Sequence, residues 1–194
     1  DVPDLSFVGT VFSGLDILEQ MDFKPLRDKK IAILTNQSAV NRNNQHLLDI
    51  LTRYPDIKVK YLLSMEHGIW STNDKRSKMV GRDGVSPLHK AQIIDLFKTY
   101  LNPPSWVMRD IDLVLVDYQD TGSRYTTYTT TLSKVFESAS DFQIPVFLLD
   151  RPNPIRGDLI SGPIPREEFQ SFESYHLFPI RRGLTIGEMS LIIN

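Results

Sequence analysis

The stretch Ile57-Lys-Val-Lys-Tyr-Leu-Leu-Ser-Met-Glu-His-Gly68 carries two signals end to end. Ile57 to Leu63 is short and rich in branched and aromatic residues, the composition of a buried strand rather than of a helix. Where that run stops, the chain places an acid, an imidazole and a glycine in succession, Glu66, His67 and Gly68. Ligands of an open α/β sheet bind in the crevice beyond the carboxyl ends of its strands, so these residues are the ones a substrate meets first. The stretch predicts a strand of such a sheet and makes Glu66 the leading candidate for chemistry.

The same pattern recurs on both sides of it. Lys30 to Thr35 (KIAILT), Ile111 to Val116 (IDLVLV) and Ile144 to Leu149 (IPVFLL) are further apolar runs of strand length. Between them lie helical signals. Ser13 caps a helix with Asp16 in its first turn and Ile17, Leu18 and Met21 on one face. Asn41 is a suitable cap for a helix carrying His46, Leu47, Leu48, Ile50 and Leu51, which stops near Tyr54-Pro55 because the residue before proline avoids the α region. Ile93, Ile94, Leu96 and Phe97 predict a helix over 88–101, halted by Asn102-Pro103-Pro104, with Trp106-Val107-Met108 packing as an edge. Another helix is expected from about Arg124 to Ser140. Residues 64–87 turn to Gly, Ser, Asn, Asp and Lys, a long loop that reads as an active-site flap. Four apolar strands alternating with helices predict an α/β fold, a doubly wound, mainly parallel sheet with helices on both faces.

Composition narrows the function classes. The 194 residues suffice for one well-buried domain. A hydrophobic fraction of 41%, a charged fraction of 24% and a net charge of -2 give an ordinary globular balance with no basic stripe, so nucleic acid is not an expected partner. No apolar run reaches the roughly 18 residues of a membrane span. Without cysteine there is no disulfide, thiolate nucleophile or cysteine-bound metal. The start at Asp1 suggests a processed chain, and the final Glu188 to Asn194 reads as a helix cut part-way, so a truncated C-terminus is expected. The oligomeric state is left open.

Asn36-Gln37, Glu66-His67, Asp117 to Arg124 and Asp150 to Asn153 each follow a predicted strand directly, so in a parallel sheet all four line one crevice. Each also has a plain structural role available. Asp117 and Asp120 are suited to capping the next helix. Asp150-Arg151-Pro152-Asn153-Pro154 suits a rigid turn in which the Asp pairs with the Arg. Thr185-Ile186-Gly187-Glu188 has the form of a capping box. His46, His89 and His176 read as packing or surface histidines. Tyr118, Tyr125 and Tyr128 suit either the core or a sugar face.

Familiar chemistries fit poorly. A haloacid-dehalogenase phosphatase needs Asp-x-Asp after the first strand, whereas the spacing here is Asp117-x-x-Asp120 after the third. A dinucleotide fold needs Gly-x-Gly-x-x-Gly where Thr35 to Ser38 has no glycine. A metal-dependent phosphoesterase drawing on Glu66, His67, Asp117, Asp120 and Asp150 is a minor alternative, since adjacent Glu and His rarely face one ion and no His-x-x-x-His pair exists.

Taken together the motifs resemble the exo-β-N-acetylmuramidases, a family of peptidoglycan-recycling glycosidases of bacteria long filed as a domain of unknown function. The matching residues are Leu34 to Gln37, Glu66-His67-Gly68, Asp117 to Tyr125, Thr127-Tyr128, Leu149 to Pro154, Gly162-Pro163 and Arg182 to Glu188, in the family's order across nearly the whole chain. Two positions depart, Met65 where the family usually has proline and Thr126 where it usually has tyrosine.

The resemblance implies a Rossmann-like N-terminal domain, a smaller C-terminal domain and a cleft between them, with residues 1–194 forming the first domain only. It implies release of N-acetylmuramic acid from the non-reducing end of peptidoglycan fragments, no NAD, metal or other cofactor, and a cell-envelope or secreted location. On that basis Glu66 is expected as general acid, tuned by His67. Asp120 is the nearest second group, with the missing domain or the substrate's acetamido oxygen as alternatives. Arg124, Arg151 or Arg182 would hold the lactyl carboxylate. Asn36, Gln37, Asp117, Gln119, Tyr128, Asp150 and Asn153 would complete the sugar site. The competing class is a non-catalytic module that binds muropeptides in the same crevice.

Overall fold

The computed structural model describes residues 10–70, 86 and 89–194. Five parallel strands, β1 (Lys30–Thr35), β2 (Lys58–Ser64), β3 (Gln92–Asp95), β4 (Leu113–Asp117) and β5 (Val146–Leu148), form one sheet in the order β3-β2-β1-β4-β5. The chain works outward from β1 to one edge through β2 and β3, then returns to the other side of β1 for β4 and β5. The reversal lies between β1 and β4, where a doubly wound sheet opens its crevice. Thr35 and Asp117 face each other there in register.

Side-chain alternation along the strands divides the core into two layers. Ile31 and Ile33 point to one face, where Leu15 and Leu18 of α1 (Gly14–Gln20) and Leu47, Leu48 and Leu51 of α2 (Leu47–Leu51) cover them. Ala32 and Leu34 point to the other, under Val107 and Met108 of α3 (Ser105–Met108), Leu132 and Val135 of α4 (Tyr128–Asp141), and Ile186 and Met189 of α5 (Ile186–Ile193). The predicted Ser13 cap forms, as a full capping box with Asp16 on α1, and so does the predicted capping box of Thr185 with Glu188 on α5.

Several local expectations are revised. The helix predicted over 88–101 is instead the edge strand β3. Ile93 is buried in one layer and Ile94 in the other, a split that consecutive residues achieve on a strand. Asp95 then ends the strand, its side chain accepting from the backbone N–H groups of Phe97 and Lys98. Trp106-Val107-Met108 forms the short helix α3 rather than an edge. The second helix starts at Leu47, capped by His46; Asn41 closes the preceding turn, accepting from Asn43 N and Gln45 N. The long helix starts at Tyr128, four residues later than the expected Arg124; the segment before it pairs instead with the chain at 180–181, Ser123 bridging Arg181 and Arg124 N donating to the Ile180 carbonyl. Residues 71–85 and 87–88 of the expected flap lie outside the described residues. Among the described residues no helix is long and apolar enough to cross a membrane.

Candidate active site

The crevice is built from the turns that leave β1, β2 and β4. After β1 the buried Asn36 folds back on itself, its side-chain oxygen accepting from both the N–H and the hydroxyl of Ser38. The Ser38 hydroxyl also accepts from Gln119 N at 2.8 Å, joining the loop after β1 to the loop after β4. His46 holds the same turn from beneath. Its Nδ1 accepts from Leu48 N at 3.2 Å, so the tautomer assigned by this network carries its proton on Nε2, which lies 2.9 Å from the Asn36 carbonyl.

Glu66 stands on the turn after β2. Met65 before it is buried in the core, and Gly68 N bonds back to the Met65 carbonyl at 3.0 Å, closing a tight turn in which both His67 and Gly68 have positive φ, 69° and 76°. Glycine adopts that conformation freely; at His67 it is strained, the kind of backbone concentrated at functional sites. The Glu66 side chain is 28% exposed and that of His67 63% exposed, with Nε2 of the imidazole 3.9 Å from Oε1 of the acid. The other carboxylate oxygen, Oε2, accepts a 2.7 Å hydrogen bond from the Thr127 hydroxyl at the start of α4. Next to Thr127, the Tyr128 hydroxyl receives a hydrogen bond from the Asn36 side chain. Burial pushes Tyr128 up from its ordinary value, the Asn36 bond opposes this, and the nearby Glu66 charge adds to the rise. Glu66, Asn36, Tyr128 and Thr127 thus converge from three separate loops.

The remaining predicted residues are engaged with one another or with the fold. Asp117 is fully buried and bound in bidentate fashion by Arg151, at 2.7 Å from Nε and 3.1 Å from Nη2. Burial pushes the Asp117 carboxyl up to about 6, against the opposing pull of that guanidinium. Arg151 uses its last nitrogen on the Val40 carbonyl. Asp120 is ion-paired with Arg182, which also donates to Thr129 Oγ1 at 2.9 Å. Burial pulls Arg182 below its ordinary value. Arg124 donates to the carbonyls of Phe178 and Pro163. All three arginines considered for a substrate carboxylate therefore already hold protein groups.

Asp150 does not pair with Arg151 as the turn reading expected. Its carboxylate accepts from Thr185 Oγ1 at 2.7 Å and Gly187 N at 2.8 Å, fastening the N-terminus of α5 beside β5. Nor do Asp117 and Asp120 cap the next helix, since α4 begins only at Tyr128. Asn153 spans Leu184 O and Ile155 N, and Gln119 Nε2 reaches the carbonyls of Asp120 and Pro152. Gln37 is exposed. Tyr118 is buried against Tyr128, while Tyr125 stands out in solvent.

Thr127 and Ser38 are site residues to which the sequence assigned no role, although Thr127 stands in one of the stretches that match the family. The trace of each in the chain is otherwise position, Thr127 just before the first helical residue of α4 and Ser38 three residues past the end of β1. Among the described residues no three His, Asp or Glu side chains converge in a way that could hold a metal ion. A groove of about 590 Å³ between α1 and β5 is lined mainly by apolar side chains, among them Phe12, Ile17, Met21 and Phe147, and its charged residues are already engaged, Asp150 with Thr185 and Gly187 and Arg151 with Asp117.

The family described as "Exo-beta-N-acetylmuramidase NamZ, N-terminal" matches residues 31–194. A protein of Bacillus subtilis (strain 168), "Peptidoglycan beta-N-acetylmuramidase NamZ", is 33% identical over 187 residues, covering 95% of this chain and 44% of that protein. Two crystal structures of DUF1343 family proteins from Bacteroides fragilis NCTC 9343 are similar in fold. One has a TM-score of 0.82 at 30% identity over 94% of this chain and 45% of its own. The other has a TM-score of 0.76 at 30% identity over 95% of this chain and 47% of its own. The chain spans just under half the length of these relatives.

Proposed function

The chain belongs to the exo-β-N-acetylmuramidase N-terminal family, and from that premise we propose that the protein is a glycoside hydrolase that releases N-acetylmuramic acid from the non-reducing end of peptidoglycan fragments, with Glu66 as general acid. The observation that carries this is the state of Glu66. It is the one predicted catalytic carboxylate at the strand ends that remains partly open while one of its oxygens is held by a rigid element. A proton donor needs that combination of access and fixed direction. Asn36 and Tyr128 beside it supply an amide and a hydroxyl suited to sugar hydroxyls or an acetamido group. His67, close to the free oxygen, is suited to tuning the proton transfer.

Glycoside hydrolysis also needs a nucleophile or a base for water. Asp120 is withdrawn from that role by its ion pair with Arg182. The second group is then the substrate's own acetamido oxygen or a side chain outside the described residues. The lactyl carboxylate would likewise be met by groups other than the guanidiniums of Arg124, Arg151 and Arg182. We place the reaction at the cell envelope or outside the cell, where its polymer is found, and assign it no cofactor.

The test is turnover of a chromogenic N-acetylmuramide by the full natural chain. Glu66→Gln should lower turnover about 100- to 10,000-fold while the sugar still binds, and chelator should have no effect. Undiminished turnover by Glu66→Gln would sink the assignment, and loss on chelation would redirect it to metal chemistry. Binding without any hydrolysis by the wild type would make the protein a muropeptide-binding module.

A further inference from the structure

We infer that Thr127 is the positioning residue of Glu66: its hydroxyl holds Oε2 and thereby fixes Oε1 as the oxygen that exchanges a proton with substrate. The inference rests on the role of Glu66 proposed above. Its basis is an asymmetry between the two carboxylate oxygens. Oε2 accepts from Thr127 Oγ1 at 2.7 Å, whereas Oε1 lies on the side of the exposed His67, 3.9 Å from Nε2. A hydroxyl that donates to Oε2 takes one of that oxygen's two lone pairs and holds the oxygen against the start of α4. Oε1 is thereby the oxygen turned to the open side of the crevice and the one placed to exchange a proton with substrate.

The anchor is rigid. Thr127 is only 4% exposed. Its carbonyl accepts from both Thr131 N at 3.0 Å and Thr131 Oγ1 at 3.2 Å, so its backbone is already part of the first turn of α4. That helix is seated in the core through Leu132 and Val135. At the other end Met65 is buried and the Glu66 turn is closed by Gly68. The side chain of Glu66 thus bridges two fixed points, and a single hydrogen bond selects its rotamer. Thr127 makes no contact with the reacting atoms, and its effect passes through Glu66.

A reacting group displaced by about 1 Å commonly loses on the order of 100-fold in rate. With the full chain and a chromogenic N-acetylmuramide, Thr127→Val should lower kcat by about that factor while KM changes by less than about twofold, since the hydroxyl acts on proton transfer rather than on sugar binding. Thr127→Ser, which restores the hydroxyl and removes only a methyl group, should return kcat to near the wild-type value. If Thr127→Val does not fold, Thr127→Ala takes its place with the same expectation. Three results overturn the inference: a Thr127→Val or Thr127→Ala protein with wild-type kcat, a loss in Thr127→Ser as large as in Thr127→Val, or a change confined to KM. Glu66→Gln run in parallel separates the two levels. If it stays active the proposed function itself fails, and if it is inactive while Thr127→Val is active only the positioning role fails.

Discussion

The carboxyl end of β2 and the carboxyl ends of β4 and β5 lie along one side of the same sheet, and both carry acids and basic side chains directly after a strand. Around β2 the acid is spare: Glu66 has one oxygen held by a neutral hydroxyl and the other open to His67. Around β4 and β5 every acid is spent on architecture. Asp117 and Arg151 neutralise each other, Asp120 and Arg182 do the same, and Asp150 ties α5 to the end of the sheet. A charge buried in a protein is tolerated when it is paired and hydrogen-bonded. In the second region each of these acids has a charged or hydrogen-bonding protein partner, although Asp120 Oδ2 and Arg182 Nε and Nη2 have no hydrogen bond beyond their ion pair; in the first, a carboxylate oxygen stays open to the crevice, which is the condition a reaction requires.

Mutations should respond in opposite ways in the two regions, and four expectations sharpen the contrast, from largest to smallest. Glu66→Gln should cost turnover about 100- to 10,000-fold, the usual weight of a general acid, with an unchanged thermal melting midpoint. A lowered midpoint would place Glu66 among the structural acids instead. Arg151→Met should leave Asp117 buried without its partner and destabilise the fold by about 3–5 kcal/mol, read from urea unfolding. A loss under about 1 kcal/mol would show that the pair is dispensable and break the comparison from the other side. Gly122→Ala should cost about 1–3 kcal/mol, because Gly122 has φ of 73° and an added Cβ would stand 2.3 Å from Asn153 Oδ1. The same unfolding measurement reads it.

The smallest expected effect concerns pH. Burial alone would raise Asp16, but hydrogen bonds from Arg42 N, the Ser13 hydroxyl and Ser13 N, with the Arg42 charge, hold it below its ordinary 3.8. The unfolded chain therefore binds this proton more readily than the folded one. The stabilisation is present above about pH 4 and is lost as pH falls through the lower folded value. Asp16→Asn should flatten the acid limb of the stability profile measured by urea unfolding between about pH 4 and pH 2, and an unaltered limb would show that Asp16 does not titrate as described.

Much of the candidate site was legible in the chain because a strand end is a local event. KIAILT, IKVKYLL, IDLVLV and IPVFLL announce themselves by length and composition, and whatever polar residues follow must emerge at one edge of a parallel sheet. The edge strand β3 was misread as a helix because Ile93, Ile94, Leu96 and Phe97 satisfy a helical spacing. Its four residues are too few for periodicity to decide, and pairing with β2 decided it instead. The Asp150 to Pro154 turn shows a second limit. Neighbouring Asp150 and Arg151 suggest a pair, yet they leave the strand end in different directions, one to α5 and one to Asp117.

By itself the sequence determined the parallel α/β architecture, the strand ends and the polar residues that follow them, because burial patterning and capping act over a few residues at a time. Only the tertiary structure decided which of those residues are spare. Thr127 reaches Glu66 across 61 positions and Arg151 reaches Asp117 across 34. Whether a carboxylate is neutralised or left poised depends on which distant side chain the packing of α4, α5 and the sheet brings against it, and no local pattern encodes that meeting.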